Sequence, residues 1–294
     1  MIARLREQAV QAASSGVLPE SAPQELAAEL ESWSQAWGGD LVDLGTEADE
    51  ETIRATTIAQ PLTLAASLLS WRILGSPTPA VVAGHSVGRI TALVIAGALS
   101  PQEALRLIRV RAQAMAACTE RSPGSMVALL TRDVSAAMAA IQDAGLSVAT
   151  VNSSAQVVAS GSLEALASFQ APAGMRLLPL KVGGAFHSPL MDPARLALQE
   201  ELEALALPSR PLTCAFISDG DGRLHPAGSP SSPLVADLPA AITAPVRWDL
   251  VQERIAGFDL SRAVELAPAG ALSGFARREL KSMDCGPWDE TIGA

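Results

Sequence analysis

The sequence predicts an α/β fold: a larger unit built on a parallel sheet, with a ferredoxin-like subdomain inserted into it. Two observations carry this prediction. The apolar run Ala80-Val81-Val82-Ala83 has the length of a strand, and a glycine-bounded turn joins it to an Ala-rich helical stretch over 90–99. Strand, tight turn and helix in that order make an α/β unit. Between about 124 and 182 the rhythm changes to β-α-β-β-α-β, the split pattern of ferredoxin-like domains. A chain of 294 residues, 49% apolar, can bury a sizeable core.

The elements follow in order. Ser21-Ala22-Pro23-Gln24 reads as a helix start, with Gln three residues after Ser and Pro in the first turn. That helix runs to about Trp37, where Gly38-Gly39 stops it. The acidic stretch 47–51 opens a second helix, its charge favourable against the N-terminal dipole. Pro61 starts a third, which ends near Leu74-Gly75. After the strand–turn–helix unit comes a helix over about 101–118. The inserted subdomain reads as strand 125–130, helix 135–144, strands 147–151 and 156–160, helix 163–170 and strand 175–181. Helical periodicity returns over 192–206, and a Gly/Pro/Ser-rich loop fills 219–233. A strand over 263–266 leads through Pro268-Ala269-Gly270 into a last helix from 271 to about 281, and 284–294 reads as a loose tail.

Composition excludes several roles. The net charge of −10 argues against nucleic acid, whose phosphates demand a basic footprint. No apolar run approaches the roughly 18 residues that a membrane span requires. Charged residues in Met1-Ile2-Ala3-Arg4-Leu5-Arg6-Glu7 occupy the place of a signal peptide's apolar stretch. Cys118, Cys214 and Cys285 are far apart and lack metal-ligand spacing, so reduced thiols in a cytoplasmic protein are the simplest account; no metal and no other cofactor is expected.

The turn after the first strand is Gly84-His85-Ser86-Val87-Gly88, a G-x-S-x-G sequence in the context of a nucleophile elbow. The glycines permit a sharp turn without a Cβ in the way, and amides at the helix start face developing negative charge. A serine nucleophile needs a base, and there are three histidines. His85 sits inside the elbow and should point away from Ser86; His225 lies in the Gly/Pro-rich loop. His187, in Gly183-Gly184-Ala185-Phe186-His187, follows a strand end, where catalytic groups of α/β folds gather. On the 101–118 helix, Ala104, Ile108, Arg111 and Met115 share one face. An arginine on an apolar stripe must find a partner, either an internal carboxylate or the carboxylate of a ligand. Spacing leaves both open.

Together the elbow, Arg111 and Gly184-Ala185-Phe186-His187 resemble the malonyl-CoA:acyl carrier protein transacylase family. The resemblance extends through Ala59-Gln60-Pro61-Leu62, Val151-Asn152 with Gln156-Val157-Val158, Ala244-Pro245-Val246-Arg247-Trp248 and Glu265-Leu266-Ala267-Pro268-Ala269-Gly270, from about 40 to 280. It implies a hydrolase-like parallel-sheet large domain over 1–123 and 183–294 and a ferredoxin-like subdomain over 124–182. It further implies ping-pong transfer of a malonyl group from CoA to the phosphopantetheine thiol of holo-acyl carrier protein. Ser86 would be the nucleophile and His187 the base, Arg111 would hold the malonyl carboxylate, and the Val87 amide would serve the oxyanion. A backbone carbonyl near Ala241 would orient the histidine. Phe186 resembles the version associated with malonyl, a soft preference because excluding one methyl is worth about 1–3 kcal/mol.

Two departures stand out. The family opens with a strand and a Gly-Gln-Gly loop whose Gln amide completes the oxyanion hole. Here Arg6-Glu7-Gln8-Ala9-Val10-Gln11 stands in its place, with Gln8 as the remnant. Losing one oxyanion donor typically costs about 10²–10³ in turnover. The second is Arg89, where the family usually has Glu. Arg277, Arg278 and Lys281 form the densest basic cluster available to an acidic carrier, though a solvated helix face is the preferred reading. Two alternatives compete. One is a serine esterase using Ser86, Asp219 or Asp221, and His225; the other is a weakened or inactive paralogue that binds carrier protein.

Overall fold

The computed structural model describes residues 1–290. Five helices precede the first strand: α1 (Ile2–Ser14), α2 (Ala22–Trp37), α3 (Leu41–Glu47), α4 (Glu50–Arg54) and α5 (Thr56–Ile73). β1 (Val81–Ala83), α6 (Gly88–Ile95) and α7 (Pro101–Arg121) follow. Next come β2 (Gly124–Leu130), α8 (Val134–Asp143), β3 (Ser147–Ser153), β4 (Gln156–Ser162), α9 (Leu163–Ser168) and β5 (Arg176–Pro179). The chain continues through α10 (Asp192–Leu205), β6 (Ala215–Ile217), β7 (Leu224–His225), α11 (Ser232–Ala236), β8 (Val246–Arg247), α12 (Trp248–Ala256), β9 (Arg262–Glu265), α13 (Ala271–Glu279) and β10 (Asp284–Pro287).

Several starts differ from expectation for identifiable reasons. Ser21 precedes α2, but its helical dihedrals (φ −74°, ψ −18°) do not present its hydroxyl to the helix amides, and no side-chain cap forms. The acidic stretch 47–51 falls across two helices: Glu47 ends α3, which Asp40 caps through the Val42 and Asp43 amides, and Asp49 caps α4 through that of Thr52. α5 begins five residues before Pro61, because the Ile58 and Ala59 amides both close onto the Ala55 carbonyl and form a turn ahead of the proline. A complete capping box, Ser100 with Glu103, starts α7. The segment expected to be a loose tail instead pairs as β10 with β9 in parallel, followed by a 3-10 turn over Trp288–Glu290; 291–294 lie outside the described residues.

Strands form three sheets. β1 pairs in parallel with β6 and β6 antiparallel with β7, a short sheet in order β1-β6-β7. β6 was not foreseen, since three residues carry too little pattern to stand out beside a Gly/Pro-rich loop. The second sheet is the β9–β10 pair. The third has the order β5-β2-β4-β3-β8; its first four strands are mutually antiparallel neighbours, and β8 adds in parallel to β3 from far along the chain.

Period-2 alternation gives this third sheet two apolar faces. Val127, Leu129, Val151 and Val157 pack with Ala137 and Ile141 of α8. Met126, Ala128, Ala149 and Val158 turn the other way and meet Phe186. The ring of Phe186 also packs on the largest core, built from α1, α2, α5, α6, α7 and α10. One aromatic side chain beside a candidate base thus touches both the subdomain sheet and the largest core.

Candidate active site

Ser86 lies three residues beyond β1, in left-handed backbone (φ +53°), at the tip of the turn into α6. Gly84 makes the turn possible: a Cβ there would lie 2.0 Å from the Gly88 carbonyl oxygen. Gly88 itself has no such constraint, and a Cβ on it would meet nothing within 4 Å. The Val87 amide, beside the nucleophile at the start of α6, has no hydrogen-bond partner among the described residues.

His187 reaches the serine from the loop after β5, its Nε2 2.8 Å from Ser86 Oγ. Its Nδ1 lies 2.9 Å from the Ala244 carbonyl oxygen. A carbonyl only accepts, so Nδ1 carries the proton and Nε2 is free to accept from the serine O–H. The orienting bond therefore runs to Ala244, not to the expected Ala241. A 3-10 turn over Ala240–Ile242 carries the chain past the ring, and the carbonyl that meets Nδ1 belongs to the residue before Pro245. The Ala241 carbonyl favours the charged ring more weakly. Burial, and then the charge of Arg111, push the His187 pKa down to about 3, so the ring is neutral near pH 7.

Arg111 is buried, as its place on the apolar face of α7 requires. Its Nη1 donates to Gln60 Oε1 and its Nη2 to Ser86 Oγ across 3.3 Å. Gln60 is held in turn by Nε2 against Met115 Sδ at 3.6 Å. Among the described residues Arg111 forms no ion pair. Burial lowers its pKa to about 10, which still leaves it charged at neutral pH. Of the two readings open from spacing, the internal carboxylate partner is absent, and the guanidinium faces the serine.

The remaining candidates separate cleanly. His85 turns away from Ser86; its Nε2 donates to Asn152 Oδ1 at 3.0 Å and its ring tilts against Trp248 at 5.6 Å. Burial lowers its pKa. His225 contacts Ser218 and the Phe216 ring instead of the nucleophile. Asp219 bonds the Ser86 amide, not a histidine, so the esterase arrangement of Ser86, Asp219 and His225 does not assemble. Asp221 accepts from the Arg223 amide.

Residues 20–226 match the acyl transferase domain family. The chain belongs to that family. The malonyl CoA-acyl carrier protein transacylase of Mycolicibacterium smegmatis is 37% identical over 262 residues, covering 86% of this chain and 89% of that protein. The Mycobacterium tuberculosis protein of the same description is 35% identical over 263 residues, 87% of this chain and 85% of its own. The crystal structure of MCAT from M. tuberculosis superposes with a TM-score of 0.84 at 33% identity, over 98% of this chain and 95% of that one. A malonyl-transacylase in complex with a type II PKS acyl-carrier protein superposes at 0.78 and 26% identity, over 89% and 87%.

This acyl transferase departs from the expected oxyanion arrangement at its N-terminus. Gln8 lies in the middle of α1, where its amide belongs to the helix's own hydrogen-bond ladder. The expected loop amide is therefore not supplied by Gln8, because a helix forms where a strand and a glycine loop were needed. Its side-chain Oε1 is buried without a partner among the described residues. Arg89 is likewise buried, paired with Asp219 and Asp237. Gln60 and Ala244 were visible in the sequence only inside motifs; nothing local marks either as touching a catalytic group. On α13, Arg277 bonds the Cys285 carbonyl and lies 3.7 Å from Glu290; Arg278, and Lys281 just beyond the helix, are exposed.

Proposed function

We propose that this acyl transferase moves a malonyl group from malonyl-CoA to the phosphopantetheine thiol of holo-acyl carrier protein through a malonyl–Ser86 intermediate. Ser86 Oγ donates its proton to His187 Nε2 as it attacks the thioester carbonyl, and the Val87 amide faces the oxyanion. His187 then returns the proton to the departing CoA sulfur. In the second half the carrier thiol gives its proton to His187, attacks the acyl-serine, and Ser86 recovers its hydroxyl.

The observation that carries this reading is Arg111: a buried guanidinium without a carboxylate partner, 3.3 Å from the nucleophile's oxygen. Leaving a cation buried and unpaired is costly, and the malonyl carboxylate supplies the missing partner. The same charge, so close to Oγ, favours the alkoxide. With Phe186 on the base's flank, an α-methyl group is disfavoured.

The domain division that fits is a large hydrolase-like unit over 1–123 and 183–294 with a ferredoxin-like subdomain over 124–182. Its support is the strand order β5-β2-β4-β3, although β8 from the large unit extends the same sheet. A cytoplasmic setting fits the three unpaired, buried cysteines. No described helix is long and apolar enough to cross a membrane.

Intact mass spectrometry after mixing with malonyl-CoA tests the reading. A malonyl adduct is expected, absent in Ser86→Ala and discharged by holo-carrier protein. Absence of the adduct from the unmodified protein at any substrate concentration sinks it. With Gln8 inside α1, acylation is expected to be slower than in a protein with two oxyanion amides, by about 10²–10³.

A further inference from the structure

Asp219 takes no part in the proton transfers above, yet its Oδ2 accepts the Ser86 backbone N–H at 2.9 Å. Parallel pairing of β1 with β6, Ala83 opposite Ile217, delivers both residues to the same sheet edge. The other carboxylate oxygen lies 3.4 Å from Arg89 Nη1, and Arg89 Nη2 lies 2.7 Å from Asp237 Oδ2. Asp219 and Arg89 are each about 2% exposed, whereas the Asp237 side chain is 57% exposed. A chain of charges thus runs from the nucleophile's amide to the surface. Among the described residues neither Asp219 Oδ1 nor Arg89 Nε has a hydrogen-bond partner, so Coulomb attraction links the buried pair.

The arrangement has two consequences. Left-handed backbone at a serine is strained and persists only where the surroundings enforce it; a carboxylate bonded to that same amide is such an enforcement. A bare buried carboxylate beside the Val87 amide would also oppose the oxyanion forming there. Arg89, in the first turn of α6 where a cation is disfavoured by the helix dipole, supplies the opposite charge.

We propose that Arg89 and Asp219 act as one positioning pair, Asp219 pinning the Ser86 amide and Arg89 cancelling the carboxylate's charge so that no uncompensated anion stands beside the forming oxyanion. This rests on the acylation of Ser86 argued above. The groups facing Asp219 are Arg89 from α6, His85 and the Ser86 amide from the elbow, and Arg111 from α7. Burial raises the Asp219 pKa, and Arg89 is the largest influence opposing it. The charge of Arg89 also reaches His225. Removing Arg89 therefore leaves a carboxyl that ionises at higher pH and, once ionised, stands uncompensated beside the reacting centre.

The test is the single-turnover rate of malonyl adduct formation in four variants of the full chain, with thermal melts confirming folding. Asp219→Asn keeps an acceptor for the Ser86 amide and is expected within threefold of the unmodified protein; Asp219→Ala is expected at least tenfold slower. Arg89→Gln is expected at least tenfold slower at pH 8, its rate falling as pH rises through the new ionisation. Arg89→Gln with Asp219→Asn is expected to return within threefold and to lose that pH dependence. Equal rates for Asp219→Asn and Asp219→Ala overturn the pinning role. A double variant as slow as Arg89→Gln, or a pH profile of Arg89→Gln parallel to the unmodified protein's, overturns the charge-cancelling role. The two comparisons are independent, so one variant's failure to fold leaves the other decisive. Absence of any adduct in the unmodified protein instead strikes the acylation reading.

Discussion

Ser86 and His187, 2.8 Å apart through Oγ and Nε2, both hold left-handed backbone, at φ +53° and +56°. Neither residue adopts this conformation readily, and each such site costs about 1–3 kcal/mol. The strain sits on the two side chains that must meet. It turns both out of their local chain directions and onto a common point above the sheet edge.

The proton path predicts an asymmetric result for histidine substitutions. His187→Ala is expected to slow malonyl adduct formation by about 10²–10⁴, the range of a lost general base. His225→Ala is expected to leave it unchanged, since that ring bonds Ser218. Intact-mass time courses of both variants decide between the two bases.

Arg111 predicts the acyl specificity. Arg111→Ala is expected to cost malonyl transfer about 2–5 kcal/mol, the usual loss when one member of a buried charged pair is truncated. Acyl groups without a carboxylate lose only the effect of that charge on Ser86 and His187, so the ratio of malonyl to acetyl adduct should fall steeply. An unchanged ratio in mixed-substrate mass spectra refutes the carboxylate role.

The depressed pKa of His187 has a sign that can be checked. The neutral ring is the active form, so the acid limb of kcat/KM is expected far below 6.5, the ordinary histidine value. Arg111→Gln removes the second-largest of the depressing influences, after burial, and the limb should move up toward 6.5. Stability follows the same linkage. The folded ring refuses a proton that the unfolded chain binds, so this contribution is present above about 6.5 and is lost as pH falls toward 3. His187→Asn should weaken the loss of Tm over that interval.

Phe186 predicts discrimination by shape. Its ring packs between the subdomain sheet and the main core beside the base. Phe186→Ser is expected to relax exclusion of an α-methyl group by about 1–3 kcal/mol, measured as the methylmalonyl to malonyl adduct ratio under competition.

The two elbow glycines are not equivalent. Gly84→Ala would place a Cβ 2.0 Å from the Gly88 carbonyl oxygen and is expected to unfold or strongly destabilise the protein. Gly88→Ala meets no atom within 4 Å and should keep a Tm close to the unmodified protein's. Thermal denaturation of the pair checks this directly.

Local signals in the sequence carried much of this. The elbow is legible because a strand, two glycines and a helix are contiguous. The Arg111 face is legible because helical spacing is a local property, and the β-α-β-β-α-β rhythm of 124–182 is legible for the same reason. What escaped is what distant segments bring together. β6 is three residues long, and its partner β1 lies more than a hundred positions earlier. The segment 1–14 carried a family expectation of strand and loop, but its residues at 2, 5, 9 and 12 are buried along one face of a helix.

The sequence by itself determined which side chains can do chemistry here: one serine in an elbow, one loop histidine, one arginine on an apolar stripe. Tertiary structure decided what each of them faces. It gave His187 the Ala244 carbonyl and so its tautomer, left Arg111 without a carboxylate, and set Asp219 on the nucleophile's amide with Arg89 behind it. The reason is physical. Residue type and spacing are encoded along the chain, but charge pairing and hydrogen-bond direction act through space. They arise where the fold brings distant residues together, as it brings Ser86 within 3 Å of Asp219 and of His187, each more than a hundred positions away.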